Sequence, residues 1–208
     1  GMPSRAAVSA AKERVGLGSL EREGDSVRRL QGIELDFSSI AKGYAVDLVS
    51  EALLANGVDN FLVEVGGEMR VAGVSPRGGP WRVAIEQPIV ERREVATAID
   101  LSDQSVATSG DYRNYFDLNG KRYSHTIDPR TGYPVRHDLV SVTVVHDSAM
   151  LADAWATALT VLGAEGAARL AEEQQLAVYF IRSEGDSYIA THSDAFGPYL
   201  ATKPGAAD

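Results

Sequence analysis

The sequence predicts an α+β fold. Helical segments interrupt runs of hairpin-like strands instead of alternating with single strands, which argues against a doubly wound parallel sheet. The pair Asn119-Gly120, set between two aromatic runs, marks a tight hairpin. With 208 residues the chain has room for one globular domain, or two small lobes sharing a core, and for a sizeable apolar interior.

The elements follow in order. Up to Leu30 the pattern is weak, with a short helical stretch from Val8 to Val15 and a charged segment, Glu21-Arg22-Glu23-Gly24-Asp25. From Ser38 to Ala55, Ile40, Tyr44 and Leu48 recur every four residues, and Val49, Ala52 and Leu53 extend the same side. That spacing predicts a helix capped by Asp36 or Ser38 and closed by Gly57. Phe61 to Val65 reads as a strand running into Gly66-Gly67. Further strands are predicted at Trp81 to Ile85, Val95 to Leu101, Tyr112 to Leu118, Arg122 to Ile127 and Leu139 to Val145. An Ala-rich helix from Ser148 to Leu162 and a second from Glu165 to Gln175 precede a closing hairpin, Ala177 to Arg182 with Ser187 to Thr191.

Composition narrows the function. Hydrophobic residues at 44% and charged residues at 24% are ordinary for a soluble enzyme. Lys and Arg total 20 against 29 for Asp and Glu, a net charge of -9, so the basic footprint that nucleic acid requires is missing. No apolar stretch approaches the ~20 residues of a membrane span. With no cysteine, disulfides, thiolate metal sites and a Cys nucleophile are excluded. No Walker-type loop occurs, Gly66-Gly67 lacks dinucleotide-fingerprint spacing, and Ser109 is not in a nucleophile elbow.

Three segments could carry chemistry, each beside a plainer alternative. Asp36-Phe37-Ser38-Ser39-Ile40-Ala41-Lys42-Gly43-Tyr44 opens a helix, where free backbone N–H groups and Lys42 suit phosphate oxygens. The alternative is a capped helix with a solvated Lys42. His125, at a strand end before Asp128-Pro129-Arg130-Thr131-Gly132, could act as a base near neutral pH, or be structural. Asp128 and Arg130 are better read as locking that turn. Asp153 and Thr157, four apart in the Ala-rich helix, share one face and offer hard oxygens suited to Mg2+. The alternative is an exposed Asp with a local hydrogen bond. His137, His146 and His192 show no metal-ligand spacing and are read as surface or core residues.

In this order the segments resemble the ApbE family of FAD:protein FMN transferases. The matching blocks are Asp36 to Asp47, Val65-Gly66-Gly67-Glu68-Met69-Arg70, Thr108 to Tyr115, Ser124 to Gly132 and Ala152 to Leu159. The resemblance implies a two-layer, T-fold-like architecture, Mg2+ as cofactor and FAD as donor of FMN to a Thr or Ser hydroxyl, with release of AMP. Asp153, Thr157 and the Ser39 carbonyl would hold the metal. Asp36, Lys42 and the Ile127 backbone would contact FAD, and His125 would be the base. Some relatives carry a carboxylate at the position of Ala156, so this chain would supply one acidic ligand fewer. Acceptors would be flavoprotein subunits of membrane redox complexes, in the bacterial cell envelope or periplasm. Neither a signal nor a lipoprotein motif is seen in these residues, so a cytoplasmic place stays open. Residues 1–208 would form a single flavin-transferase domain without the N-terminal part that family members carry. An FAD pyrophosphatase and a non-catalytic flavin-binding module are the other readings.

Overall fold

In the computed structural model the described residues are 3–30, 33–89, 94–110, 115–118, 121–185 and 187–201. In chain order, α1 (Arg5–Lys12) is followed by the strands β1 (Leu20–Glu23) and β2 (Ser26–Arg29), and then by α2 (Ala41–Ala55). Next come β3 (Phe61–Val65), β4 (Glu68–Ala72), β5 (Trp81–Glu86), β6 (Val95–Leu101) and β7 (Ser105–Gly110). Four short strands follow, β8 (Tyr115–Leu118), β9 (Lys121–Ser124), β10 (Ile127–Asp128) and β11 (Tyr133–Pro134). The chain closes with β12 (Leu139–His146), α3 (Ala149–Glu173), β13 (Ala177–Glu184) and β14 (Ser187–His192). These elements fall into two compact units, Gly1–Phe37 with Asn114–Arg136, and Ser38–Arg113 with His137–Asp208.

In the first unit Ser4 caps α1, its Oγ accepting the Ala7 amide at 3.2 Å. Val8 and Lys12 of α1 lie over the turn at Gly132, where φ is +78° and an added Cβ would stand 2.7 Å from Val8 Cγ1. Lys12 Nζ donates to the Arg130 carbonyl at 2.6 Å. The charged Glu21 to Asp25 segment, not predicted as regular structure, supplies most of β1 and the turn of the β1–β2 hairpin. β8 and β9 pair antiparallel with Leu118 opposite Lys121, the register of a two-residue loop, while Asn119 and Gly120 themselves lie outside the described residues.

The second unit holds a six-stranded antiparallel sheet in the order β14-β13-β12-β7-β4-β3. α3 covers one face, packing Ala152, Ala156 and Leu159 on Ala107, Val142 and Val144. α2 extends that layer over β3 and β4 through Val46, Phe61, Val63 and Ala72. On the other face Val106, Val145 and Tyr179 meet the β5–β6 hairpin and Phe196 of the 3₁₀ turn Asp194–Tyr199. Both faces being buried explains the near-continuous apolar run of β12.

Several expectations are corrected. α2 begins at Ala41 with Ile40 as its cap residue and no side-chain cap bond, so neither Asp36 nor Ser38 caps it. Its buried face is Gly43, Val46, Asp47 and Ser50, whereas Tyr44, Leu48 and Val49 are exposed. The four-residue spacing is present, but an equally periodic set is the buried one, with Gly43 and Asp47 against α3 and Val46 against β3 and β4. The two predicted C-terminal helices, by contrast, stand as expected: α3 is two helical segments separated at Gly163, whose φ of 75° and ψ of 172° lie outside the helical region. Strands β4 and β7 were not anticipated as they stand.

Candidate functional site

The second unit's site begins where α2 crosses α3. At Gly43 an added Cβ would stand 2.2 Å from the Ala149 carbonyl oxygen, so the two helices touch backbone to backbone. One turn on, Asp47 accepts from Ser148 Oγ at 2.7 Å, the Ala149 amide at 2.9 Å and the Met150 amide at 3.0 Å. Arg70 Nη1 donates to the same carboxylate at 3.1 Å. An anion therefore sits on the free N–H groups of α3. Burial pushes the Asp47 carboxyl up, but the Met150, Ala149 and Ser148 donors and the Arg70 charge outweigh it and hold it below its ordinary value. Sequence reasoning missed this residue, because the apolar spacing of the helix pointed to Tyr44, Leu48 and Val49 as the inward side.

This clamp brings the start of α2 to the first turns of α3. The Gly43 amide donates to Asp153 Oδ2 at 3.1 Å. In a helix continued toward the N-terminus that amide would bond the Ser39 carbonyl, which is instead left outside the helix's own bonding. Asp153 is only 3% exposed, which removes the reading of an exposed Asp with a merely local bond. Burial raises its carboxyl above the ordinary value, against the Gly43 amide and the Lys42 charge. Thr157, one turn along, is half-buried, and its hydroxyl lies 3.2 Å from Ser109 Oγ on β7. Ala156 is fully buried against the sheet, so no second carboxylate is supplied there.

Lys42 is not solvated alone: its Nζ donates to Glu68 Oε1 at 2.5 Å. Glu68 lies in the Val65-Gly66-Gly67-Glu68-Met69-Arg70 block, where local sequence assigns it no role. It opens β4 directly after Gly66 and Gly67, whose φ values of 60° and 101° are those a two-residue hairpin turn requires. Burial raises the Glu68 carboxyl above its ordinary value, against its hydrogen bond and ion pair with Lys42 and with the help of the Asp153 charge.

Asp36, His125, Ile127, Asp128 and Arg130 belong to the first unit. Asp36 is exposed in the stretch before Ser38. His125 is exposed in a bend after β9, where the Thr126 amide donates to Ser124 Oγ at 2.9 Å. Ile127 begins β10 opposite Pro134. Asp128 and Arg130 do lock their turn: both carboxylate oxygens accept from the guanidinium at 2.9 Å, and the Arg130 amide adds a third bond. His137 Nε2 is 2.7 Å from the Thr160 carbonyl, and His146 Nδ1 accepts the Ser148 amide at 3.0 Å. Among the described residues no group of three or more His, Cys, Asp or Glu could hold a metal ion. The donors on offer near Asp153 are hard oxygens, few in number.

The model of the ApbE family matches residues 1–180. This chain belongs to the ApbE family. It is 42% identical over 201 residues to the FAD:protein FMN transferase of Vibrio cholerae serotype O1, covering 96% of this chain and 60% of that protein. The Escherichia coli K12 FAD:protein FMN transferase is 40% identical over 207 residues, covering 97% of this chain and 59% of that protein. Among solved structures, the apo Pseudomonas stutzeri flavinyl transferase ApbE matches with a TM-score of 0.86 at 43% identity, covering 98% of this chain and 63% of that one. The Thermotoga maritima ApbE protein matches at a TM-score of 0.85 and 29% identity, over 97% of this chain and 65% of that one. The chain thus spans about 60% of the curated ApbE relatives. The ApbE fold bears out the α+β expectation.

Proposed function

We propose that this chain carries the diphosphate-cleaving part of an FAD:protein FMN transferase, moving FMN from FAD to a Thr or Ser hydroxyl of an acceptor protein. The observation that carries the reading is Asp153, a carboxylate buried beside Lys42 and held by the Gly43 amide, in a chain about 40% identical to named transferases. The residues fit Mg2+, which takes hard oxygens and is commonly held by one or two carboxylates plus substrate phosphates. Asp153, Thr157 and the Ser39 carbonyl would hold it. When bound, Mg2+ would neutralise charge on the diphosphate and make AMP a better leaving group. Lys42, with Asp36 and the Ile127 backbone, holds the donor. His125 takes the proton from the acceptor hydroxyl as its oxygen bonds the FMN-side phosphorus and the bridging P–O bond to AMP breaks. Residues 1–208 act as one functional domain in this reading, and the acceptors are flavoprotein subunits of redox complexes at the bacterial envelope.

The test is incubation with FAD, Mg2+ and such a subunit, followed by mass spectrometry of the acceptor. The expected product is FMN in phosphoester linkage on a Thr or Ser, with AMP released. Free FMN and AMP with an unmodified acceptor would make the chain a pyrophosphatase; bound FAD left intact would make it a binding module. His125→Ala should lower transfer roughly 10²- to 10⁴-fold, the usual contribution of a general base, with FAD binding kept. Transfer at the wild-type rate would return His125 to a structural role.

A further inference from the structure

We propose that Glu68 is a positioning residue for the donor's diphosphate, acting through Lys42; the inference rests on the functional reading above. Three observations carry it. The Glu68 side chain is 2% exposed and that of Lys42 is 44% exposed, so the pair has a buried anchor and an outward-facing cation. The Lys42 stem runs across bare backbone: an added Cβ on Gly66 would stand 3.0 Å from Lys42 Cδ. Finally, Glu68 Oε2 is buried with no hydrogen-bond partner.

A structural ion pair alone accounts poorly for this set. A buried carboxylate with one oxygen unmatched costs stability, and an apolar side chain of similar size would be cheaper. Unanchored lysines are flexible point charges whose ordering opposes binding. Here a rigid strand end supplies the anchor and Gly66 supplies the track, so the ammonium is ordered before an anion arrives. An ammonium has three donors, and the bond to Oε1 uses one of them. The others remain for phosphate oxygens. The carboxylate also sets which anion is worth accommodating: with Glu68 and Asp153 close by, a single weak anion gains little from Lys42, whereas a diphosphate brings charge enough to hold both the lysine and a divalent cation.

The experiment is a double-mutant cycle on the full chain with Glu68→Gln, Lys42→Ala and the pair, reading the FAD dissociation constant by flavin fluorescence with Mg2+ and, separately, KM and kcat for FAD cleavage. Glu68→Gln should weaken FAD binding about tenfold, the scale of one charge-assisted hydrogen bond. KM should rise with kcat little changed, and the melting temperature should stay level or rise. In the Lys42→Ala background the same change should have no further effect. Glu68→Asp, which keeps the charge but is one methylene short, should fall between, and it serves if Glu68→Gln folds poorly. Wild-type FAD affinity in the Glu68 variants, or losses that add in the double variant, would overturn the inference while leaving the functional reading intact. A wild-type chain that neither binds nor cleaves FAD would instead sink that reading and this inference with it.

Discussion

Asp153 shows most directly how one residue's environment bears on the proposed chemistry. It stands in an otherwise Ala-rich helix, 3% exposed, with a single backbone donor on one oxygen. Burial raises its carboxyl above the ordinary value, so the folded chain holds that proton more tightly than the unfolded one. Stability therefore falls as pH rises from the unfolded to the folded value, and above that window the ionised group is a standing cost. A divalent cation at this carboxylate removes the cost. Two results are expected on calorimetry at neutral pH. Without divalent cation, Asp153→Asn should melt level with wild type or higher, by roughly 2–4 °C for about 1 kcal/mol. Millimolar Mg2+ should raise the melting temperature of wild type and not that of the variant. Equal Mg2+ stabilisation of both would remove the metal from this helix.

At the scale of elements, the join between α2 and α3 decides where those residues stand. Gly43 lets the helix backbones touch, and Asp47 fixes the start of α3 by accepting from Ser148, Ala149 and Met150 while pairing with Arg70. Replacing Asp47 by Ala strands the Arg70 charge and two helix N–H groups, and should cost about 3 kcal/mol. The pH dependence has the opposite sign to that of Asp153. The Asp47 carboxyl lies below its ordinary value in the fold, so the unfolded chain takes up the proton first as pH falls. Its contribution is present in full above the ordinary carboxylate range and is lost below it. Urea midpoints measured from pH 6 down to pH 3 should drop more steeply for wild type than for Asp47→Asn, and parallel curves would contradict the assignment. Part of this join could be read in the sequence: the end of α2 at Ala55 and the Asp153–Thr157 spacing in α3. The buried face of α2 could not, because Gly43, Asp47 and Ser50 are selected there by close approach and hydrogen bonding, and an apolar period does not register either.

Across the whole molecule, what the sequence withheld was non-local. β7 escaped because in Ser105–Gly110 the strand formers Val106 and Thr108 are interleaved with Ser, Ala and Gly and leave no continuous apolar run, yet it lies inside the sheet between β12 and β4. Its small side chains are what let α3 close on that face, with Ala107 in the core. Lys42, Asp153 and Thr157 could be named as candidates from local pattern, but the pairings of Lys42 with Glu68 and of Gly43 with Asp153 join positions 26 and 110 apart that no local pattern links. The same contrast between elements predicts how the molecule opens. β12 is central, with Val142 and Val144 fully buried on one face and Thr143 and Val145 nearly so on the other, whereas in the β1–β2 hairpin every residue but Leu20 is exposed. Local opening free energies run from near zero in such exposed ladders up to the global value in a core strand. In hydrogen exchange followed by mass spectrometry, amides of β12, β13 and the first half of α3 should exchange only on global unfolding, with rates that track denaturant midpoints. Amides of β1 and β2 should exchange orders of magnitude faster and be insensitive to Asp47→Ala. Equal protection of the hairpin and β12 would mean that the two open as one cooperative body, and burial would then be a poor guide to stability in this fold.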